Sequence, residues 1–209
     1  MKVAKKLSPR NKPVQQRALR QREKILQATS ELLDKVGLDD LTTILVAKRV
    51  GISVGTLYHY FPNKHAIMYA LAELWVKEIE LAMQELAEQP IETTSIKAFV
   101  ELSVERMLLV YLNHSALLPL VQAMQAVPEL KELNAKYQDI VSNGMARIFQ
   151  RLDISVTAEE SARLAHVYLE ISHALLLSVA IKSVSNHNKT LADLKYLILC
   201  LLERAKGQF

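Results

Sequence analysis

Between Thr42 and Lys64 lie Thr43, Thr56, Tyr58, His59, Tyr60 and Lys64, a run of hydroxyls, an imidazole and an ammonium. Such groups hold phosphates and read base edges. Holding them in register needs two short helices and a tight turn, and the intervening residues supply both. Thr42 or Thr43 can cap the first helix by accepting an orphan backbone N–H. Val46, Ala47 and Val50 form its inner face, and Ala47 is small enough for a steep helix crossing. Gly51 permits the positive φ of a sharp turn, Ile52 plugs the corner and Ser53 caps the second helix. Leu57 and Phe61 then point inward, which leaves Val54, Gly55, Thr56, Tyr58, His59 and Tyr60 on the outer sides. This is the layout of a helix-turn-helix that offers its second helix to a DNA major groove. Pro62 stops that helix and Asn63 can cap the next. Lys64 and His65 fall in its first turn, where a cation opposes the macrodipole by about 0.3–1 kcal/mol. A phosphate gripped by Lys64 together with the helix N–H groups removes the conflict; the plain alternative is a tolerated surface lysine.

Other reactive side chains do not assemble into a catalytic or metal-binding pattern. His114, His166, His173 and His187 are spread over three segments, with no HExxH and no paired cysteines. Glu101, Glu105 and Arg106 read as a solvated face. There is no glycine-rich phosphate loop and no arguable Ser-His-Asp set, so no enzyme activity, metal or cofactor is expected. Cys200 is the single cysteine and sits among leucines, so no intrachain disulfide can form and a structural thiol is expected.

The 209 residues suffice for one small and one medium domain, and half of them are apolar. Five glycines, six prolines and no period-two alternation predict an all-α chain. No stretch reaches about 18 uninterrupted apolar residues, and no apolar region follows the N-terminal charges. The expectation is therefore no membrane span, no secretory signal and a cytoplasmic location. Charge is unevenly placed. Residues 1–65 hold 13 Lys and Arg against 5 Asp and Glu, whereas residues 66–209 hold 13 against 17. Positive charge thus gathers on the part that carries the helix-turn-helix. Residues 1–13, with Pro9 and Pro13, read as a basic flexible tail, either solubilising or an arm that adds phosphate or minor-groove contacts.

From about Val14 the chain can be helical, with Ile25, Ala28, Thr29, Leu32, Leu33 and Val36 on one stripe and Gly37 closing it. Residues 14–65 form the expected three-helix DNA-binding domain. A long helix from Asn63 to about Glu88 leads into a second, helical domain over residues 66–209. There, helices are expected from Thr93 or Thr94 to Asn113, over Ala116 to Ala126, from Pro128 to Leu152, from the Thr157–Glu160 capping box to Ser183, and from Thr190 to Lys206. The segment His173 to Ile181 is apolar nearly all round, which predicts burial against both the domain core and another subunit.

The Leu41–Lys64 stretch resembles the DNA-binding domain of the TetR family of transcriptional regulators. The matching features are Thr42-Thr43, Ala47, Gly51-Ile52-Ser53, Gly55-Thr56-Leu57-Tyr58, an aromatic pair and Lys64. The resemblance covers roughly Arg22 to Lys64; beyond it only length and helical character agree. It implies a homodimeric, ligand-responsive regulator, usually a repressor, paired through its last two long helices. It also implies that Thr43, Tyr58 and Lys64 contact phosphates of a double-stranded DNA operator, with Val54, Gly55, His59 and Tyr60 near bases. Ile44 and Leu45 depart from the family, which often carries a polar or basic residue there. Ile44 is expected to pack, with contact to a thymine methyl as the alternative. Met107, Tyr111, Met124, Tyr137 and Tyr168 read first as core. With the resemblance they become candidate walls of an apolar effector cavity, with His114, Glu170 or His173 as polar contacts. The competing reading is a helical ligand-binding or protein-interaction module whose helix-turn-helix is only structural.

Overall fold

The computed structural model describes residues 11–154, 157–181 and 187–207. Among the described residues there are α-helices and short 3-10 turns and no strand. The chain divides into two compact units, Met1–Ala70 and Leu71–Phe209.

The first unit holds α1 (Asn11–Val36), α2 (Thr43–Val50), α3 (Val54–Tyr60) and the opening turns of α4 (Lys64–Ala87). Helix α1 begins ahead of the Val14 expected, so residues 11–13 are helical rather than tail. Pro13 lies in the first turn, where a missing N–H leaves no acceptor unsatisfied. Residues 1–10 lie outside the described residues. Ile25, Leu26, Ala28, Thr29 and Leu33 are buried, and the Thr29 hydroxyl donates to the Ile25 carbonyl at 2.7 Å. Gly37, at φ 74°, ends the helix in the left-handed conformation.

The second unit holds the remainder of α4 together with α5 (Ile96–Asn113), α6 (Leu118–Ala123), α7 (Lys131–Arg151), α8 (Ala158–Ile181) and α9 (His187–Ala205). Helix α5 starts after Thr93 and Thr94 because both hydroxyls donate to the Pro90 carbonyl, and Ser95 caps it instead. Helix α9 starts at His187, ahead of the Thr190 expected, and α8 ends at Ile181; the expected extension to Ser183 lies outside the described residues. Helix α8 packs on α7, α9 and α5. It is long and apolar enough to cross a membrane by length and composition alone. Its buried face, Leu164, Ala165, Tyr168, Leu169, Ser172, Leu176 and Val179, is that of a core helix. It is not buried on every side, since Ala174, Ser178 and Ile181 are exposed. Trp75, Phe99, Tyr111, Phe149 and Tyr168 are the largest fully buried side chains, with Phe99 edge-on to Phe149 at 6.2 Å.

Candidate nucleic-acid interface and buried polar cluster

Local chemistry builds the helix-turn-helix residue by residue. The Thr42 hydroxyl accepts from the Leu45 N–H at 3.2 Å and so starts α2. Gly51 has φ 76°, and its N–H and that of Ile52 both donate to the Ala47 carbonyl at 3.0 Å, which closes the turn. The Ser53 hydroxyl accepts from the Thr56 N–H at 3.0 Å and lies 2.8 Å from the Thr56 hydroxyl. Val46, Ala47, Leu57 and Phe61 are buried, while Val50 and Ile52 are half-buried. Arg49 bonds Glu31 and ties α2 to α1, which holds the Glu31 carboxyl below its ordinary pKa; the Arg22 guanidinium lies 5.5 Å from the Phe61 ring centre.

On the outer side, the Thr43 and Tyr58 hydroxyls meet at 3.1 Å and join the first turn of α2 to α3. Gly55, Thr56, Tyr58 and His59 are exposed, whereas Val54 and Tyr60 are half-buried. His59 and Tyr60 pack edge to face at 5.5 Å. A Cβ on Gly55 would meet only the Ser53 hydroxyl, at 3.8 Å, so the α3 backbone here is open to close approach. Asn63 caps α4 through a 2.8 Å bond from the Ala66 N–H. Lys64 does not extend freely into solvent. Its ammonium donates to the Leu38 carbonyl at 2.6 Å and braces the turn after α1, with two N–H groups left over. Ile44 does not pack, contrary to expectation: 66% of it is exposed, because the inward positions of α2 are taken by Val46, Ala47 and Val50.

The second unit carries a different polar cluster. Tyr111 from α5, Tyr137 from α7 and His173 from α8 converge, with both hydroxyls on the same ring nitrogen. The Tyr111 oxygen is 2.6 Å and the Tyr137 oxygen 3.1 Å from His173 Nδ1, and the two hydroxyls are 3.4 Å apart. Burial lowers the His173 pKa, so the ring is neutral at pH 7, with Glu170 pulling weakly the other way. Burial likewise pushes Tyr111 and Tyr137 well above the ordinary phenol value. Trp75 stands edge-on to Tyr111 at 4.9 Å, and its indole nitrogen is buried without a hydrogen-bond partner. The Tyr168 hydroxyl is also unpartnered. Ser103 lies near it but donates to the Val100 carbonyl at 3.2 Å. A cavity of about 130 Å³ borders the cluster, lined by Gln122, Gln125, Asn134, Tyr137, Glu170 and His173 among others.

Residues 25–71 match the family described as "Bacterial regulatory proteins, tetR family". Over these residues the chain is similar to the tetR family. It is similar to the HTH-type transcriptional regulator EthR of Mycobacterium tuberculosis, at 39% identity over 88 residues, 38% of this chain and 41% of that protein. It is also similar to the tetracycline repressor protein class C of Escherichia coli, at 45% identity over 53 residues, 25% of this chain and 24% of that one. The chain therefore spans less than half the length of the curated relatives it matches. Among solved structures, Salmonella enterica GusR shares the fold with a TM-score of 0.66 at 18% identity, over 97% of this chain and 100% of that one. A transcriptional regulator from Rhodococcus sp. Rha1 does so with a TM-score of 0.71 at 17% identity, over 88% and 96%.

Of the candidate DNA residues, Thr43 and Tyr58 meet across α2 and α3, Gly55, Thr56 and His59 are exposed and Val54 and Tyr60 half-buried on α3, and Lys64 is turned to the Leu38 carbonyl. The candidate effector residues separate into two groups. Met107, Met124 and Tyr168 are packed core, at 0–3% exposure. Tyr111 and His173 belong to the hydroxyl–imidazole cluster. His114 stands apart from that cluster's hydrogen bonds, half-buried against the Trp75 ring with its Nε2 3.8 Å from the Glu78 carboxylate. Sequence reasoning overlooked the amides Gln122, Gln125 and Asn134 and the unpartnered indole of Trp75. No local pattern marks them, because tertiary packing alone brings α4, α6 and α7 to the cluster.

Proposed function

We propose that this chain is a transcriptional regulator that binds operator DNA as a homodimer and releases it when a small molecule enters the second unit. The observation that carries the DNA reading is the Thr43–Tyr58 hydroxyl pair. It lies on the outer side of the helix-turn-helix beside exposed Gly55, Thr56 and His59. Thr43 and Tyr58 are assigned to phosphates, Val54, Gly55, Thr56, His59 and Tyr60 to the major groove, and Lys64 to a phosphate through its remaining N–H groups. The excess of basic residues in the first 65 positions supports the same partner. Exposed Ala174 and Ser178 on α8, with Tyr196 and Leu197 on α9, support pairing of the last two helices into a four-helix bundle. A DNA partner places the regulator in the cytoplasm.

Repression and effector release follow the tetR-family pattern. The effector is assigned to the cavity bordered by Tyr137 and His173. A ligand shifts the equilibrium only through tighter binding to the conformation that releases DNA. Helix α4, whose residues are divided between the two units, is the lever.

Selection from random duplex DNA tests the reading. The expected result is a pseudo-palindrome whose half-sites lie one or more helical turns apart, about 34–36 Å per turn. Recovery of asymmetric sites only refutes the two-fold dimer. Recovery of no enriched site favours a module whose helix-turn-helix is purely structural.

A further inference from the structure

Five of the eight positions of α2 have a structural task. Val46 and Ala47 are buried in the unit and Val50 is half-buried. Arg49 is tied to Glu31 of α1, and Thr43 to Tyr58 of α3. Ile44, Leu45 and, one turn on from Ile44, Lys48 are left, all exposed; of the two aliphatic side chains Ile44 is the more open, at 66% against 36% for Leu45. A lone exposed aliphatic side chain is ordinary on a protein surface. This one is 66% exposed, contributes little to the core and directly follows the hydroxyl assigned to a phosphate. An isoleucine neither donates nor accepts a hydrogen bond. The one apolar feature that a base edge presents in the major groove is the C5-methyl of thymine. A β-branched side chain in a helix is also held near one rotamer, so little freedom is lost on contact.

We propose that Ile44 is a specificity-determining residue that takes the methyl group of one thymine in each operator half-site. The assignment rests on the DNA-binding reading above and deepens it. Thr43 and Tyr58, anchored on the backbone, set the first turn of α2 at the rim of the groove. Ile44 is the side chain there that discriminates by shape and apolarity rather than by hydrogen bonding.

The test uses the full chain and the operator it selects, with each thymine of one half-site replaced in turn by deoxyuridine, which removes only the methyl. One position should weaken wild-type binding about fourfold, the value of one buried methyl-sized group. Ile44→Ala should bind the thymine and deoxyuridine duplexes equally, with an unchanged helical circular-dichroism signal because the side chain is exposed. Ile44→Arg should move the preference at that position toward guanine. If no thymine methyl matters to the wild type, or if the methyl effect survives Ile44→Ala, the assignment is overturned while DNA binding stands. If the wild type enriches no sequence, the DNA reading fails and the assignment falls with it.

Discussion

The molecule holds two hydroxyl clusters, and each joins helices that are distant in sequence. Thr43 and Tyr58 meet at the surface of the first unit, where Tyr58 is 47% exposed. Tyr111, Tyr137 and His173 meet inside the second, where the two phenols are 1% and 5% exposed. The same chemistry serves different ends in the two environments. Surface hydroxyls can exchange water for phosphate oxygens with no rearrangement, as a site for a large polyanion requires. Buried ones cost free energy unless they are paired, so any ligand that competes for them must alter the packing around them. The first cluster is open to a partner from solvent, and the second is closed within the packing of its unit.

The largest effect should come from the wall of the inner cluster. Trp75 is fully buried and edge-on to Tyr111, so Trp75→Ala should remove about 3–5 kcal/mol from the stability of the second unit. Urea unfolding followed by circular dichroism reads this directly, and an unchanged midpoint would mean that the cluster does not organise that core. At the surface, His59→Ala should relax preference at particular base pairs, by about 1–3 kcal/mol if the contact is well made. Competition binding against single-base operator variants is the measurement; equal weakening at every position removes His59 from base reading. Tyr58→Phe and Thr43→Val should each weaken binding by about 1 kcal/mol on all sequences alike. Because the two hydroxyls bond each other, the double variant should lose less than the two separate losses combined.

The same contrast explains what could be read from the chain. The surface site is local. Thr42, Gly51, Ser53 and Asn63 act on N–H and C=O groups within five residues of themselves, so their spacing alone foretold caps and turn. Two positions misled for equally local reasons. Pro13 looked like a helix breaker but sits in a first turn, and Ile44 looked like core but lies on a flank whose inward neighbours already fill the space. The inner site is not local. Tyr111 and His173 are 62 positions apart and Tyr137 lies between them on a third helix, so no periodicity brings them together. Residue type made Tyr111, Met107, Met124 and His173 candidates. Only packing separates the core methionines from the hydroxyl–imidazole cluster.

Lys64 sharpens the comparison, because it is a surface cation turned inward. Lys64→Ala loses its bond to the Leu38 carbonyl, worth about 0.5–1.5 kcal/mol of stability to the first unit. If the remaining N–H groups also hold a phosphate, the slope of log affinity against log salt should fall by about one. Thermal unfolding without DNA and binding across a salt series separate the two roles. Lost stability with an unchanged salt slope would make Lys64 a brace alone.

The smallest expected effect is the acid sensitivity of a single ring. Burial depresses the His173 pKa below the 6.5 it has in the unfolded chain. As pH falls below about 6.5 the unfolded state takes up a proton that the folded ring refuses. Stability is therefore full above that value and declines as pH falls toward the folded pKa. The phenols titrate in the opposite sense. Tyr168 is pushed up to about 12, so its contribution is full below about 10 and is lost as pH rises toward 12. Between these limits His173 and Tyr168 should leave the second unit's stability flat. His173→Gln keeps an acceptor for the tyrosine hydroxyls but cannot titrate. Unfolding midpoints of wild type and His173→Gln, measured from pH 7.5 down to pH 5, should diverge only below about 6.5, with the wild type losing more. Parallel curves would mean that His173 takes up its proton as readily in the folded state as in the unfolded one, and the inner cluster would then be as wet as the outer.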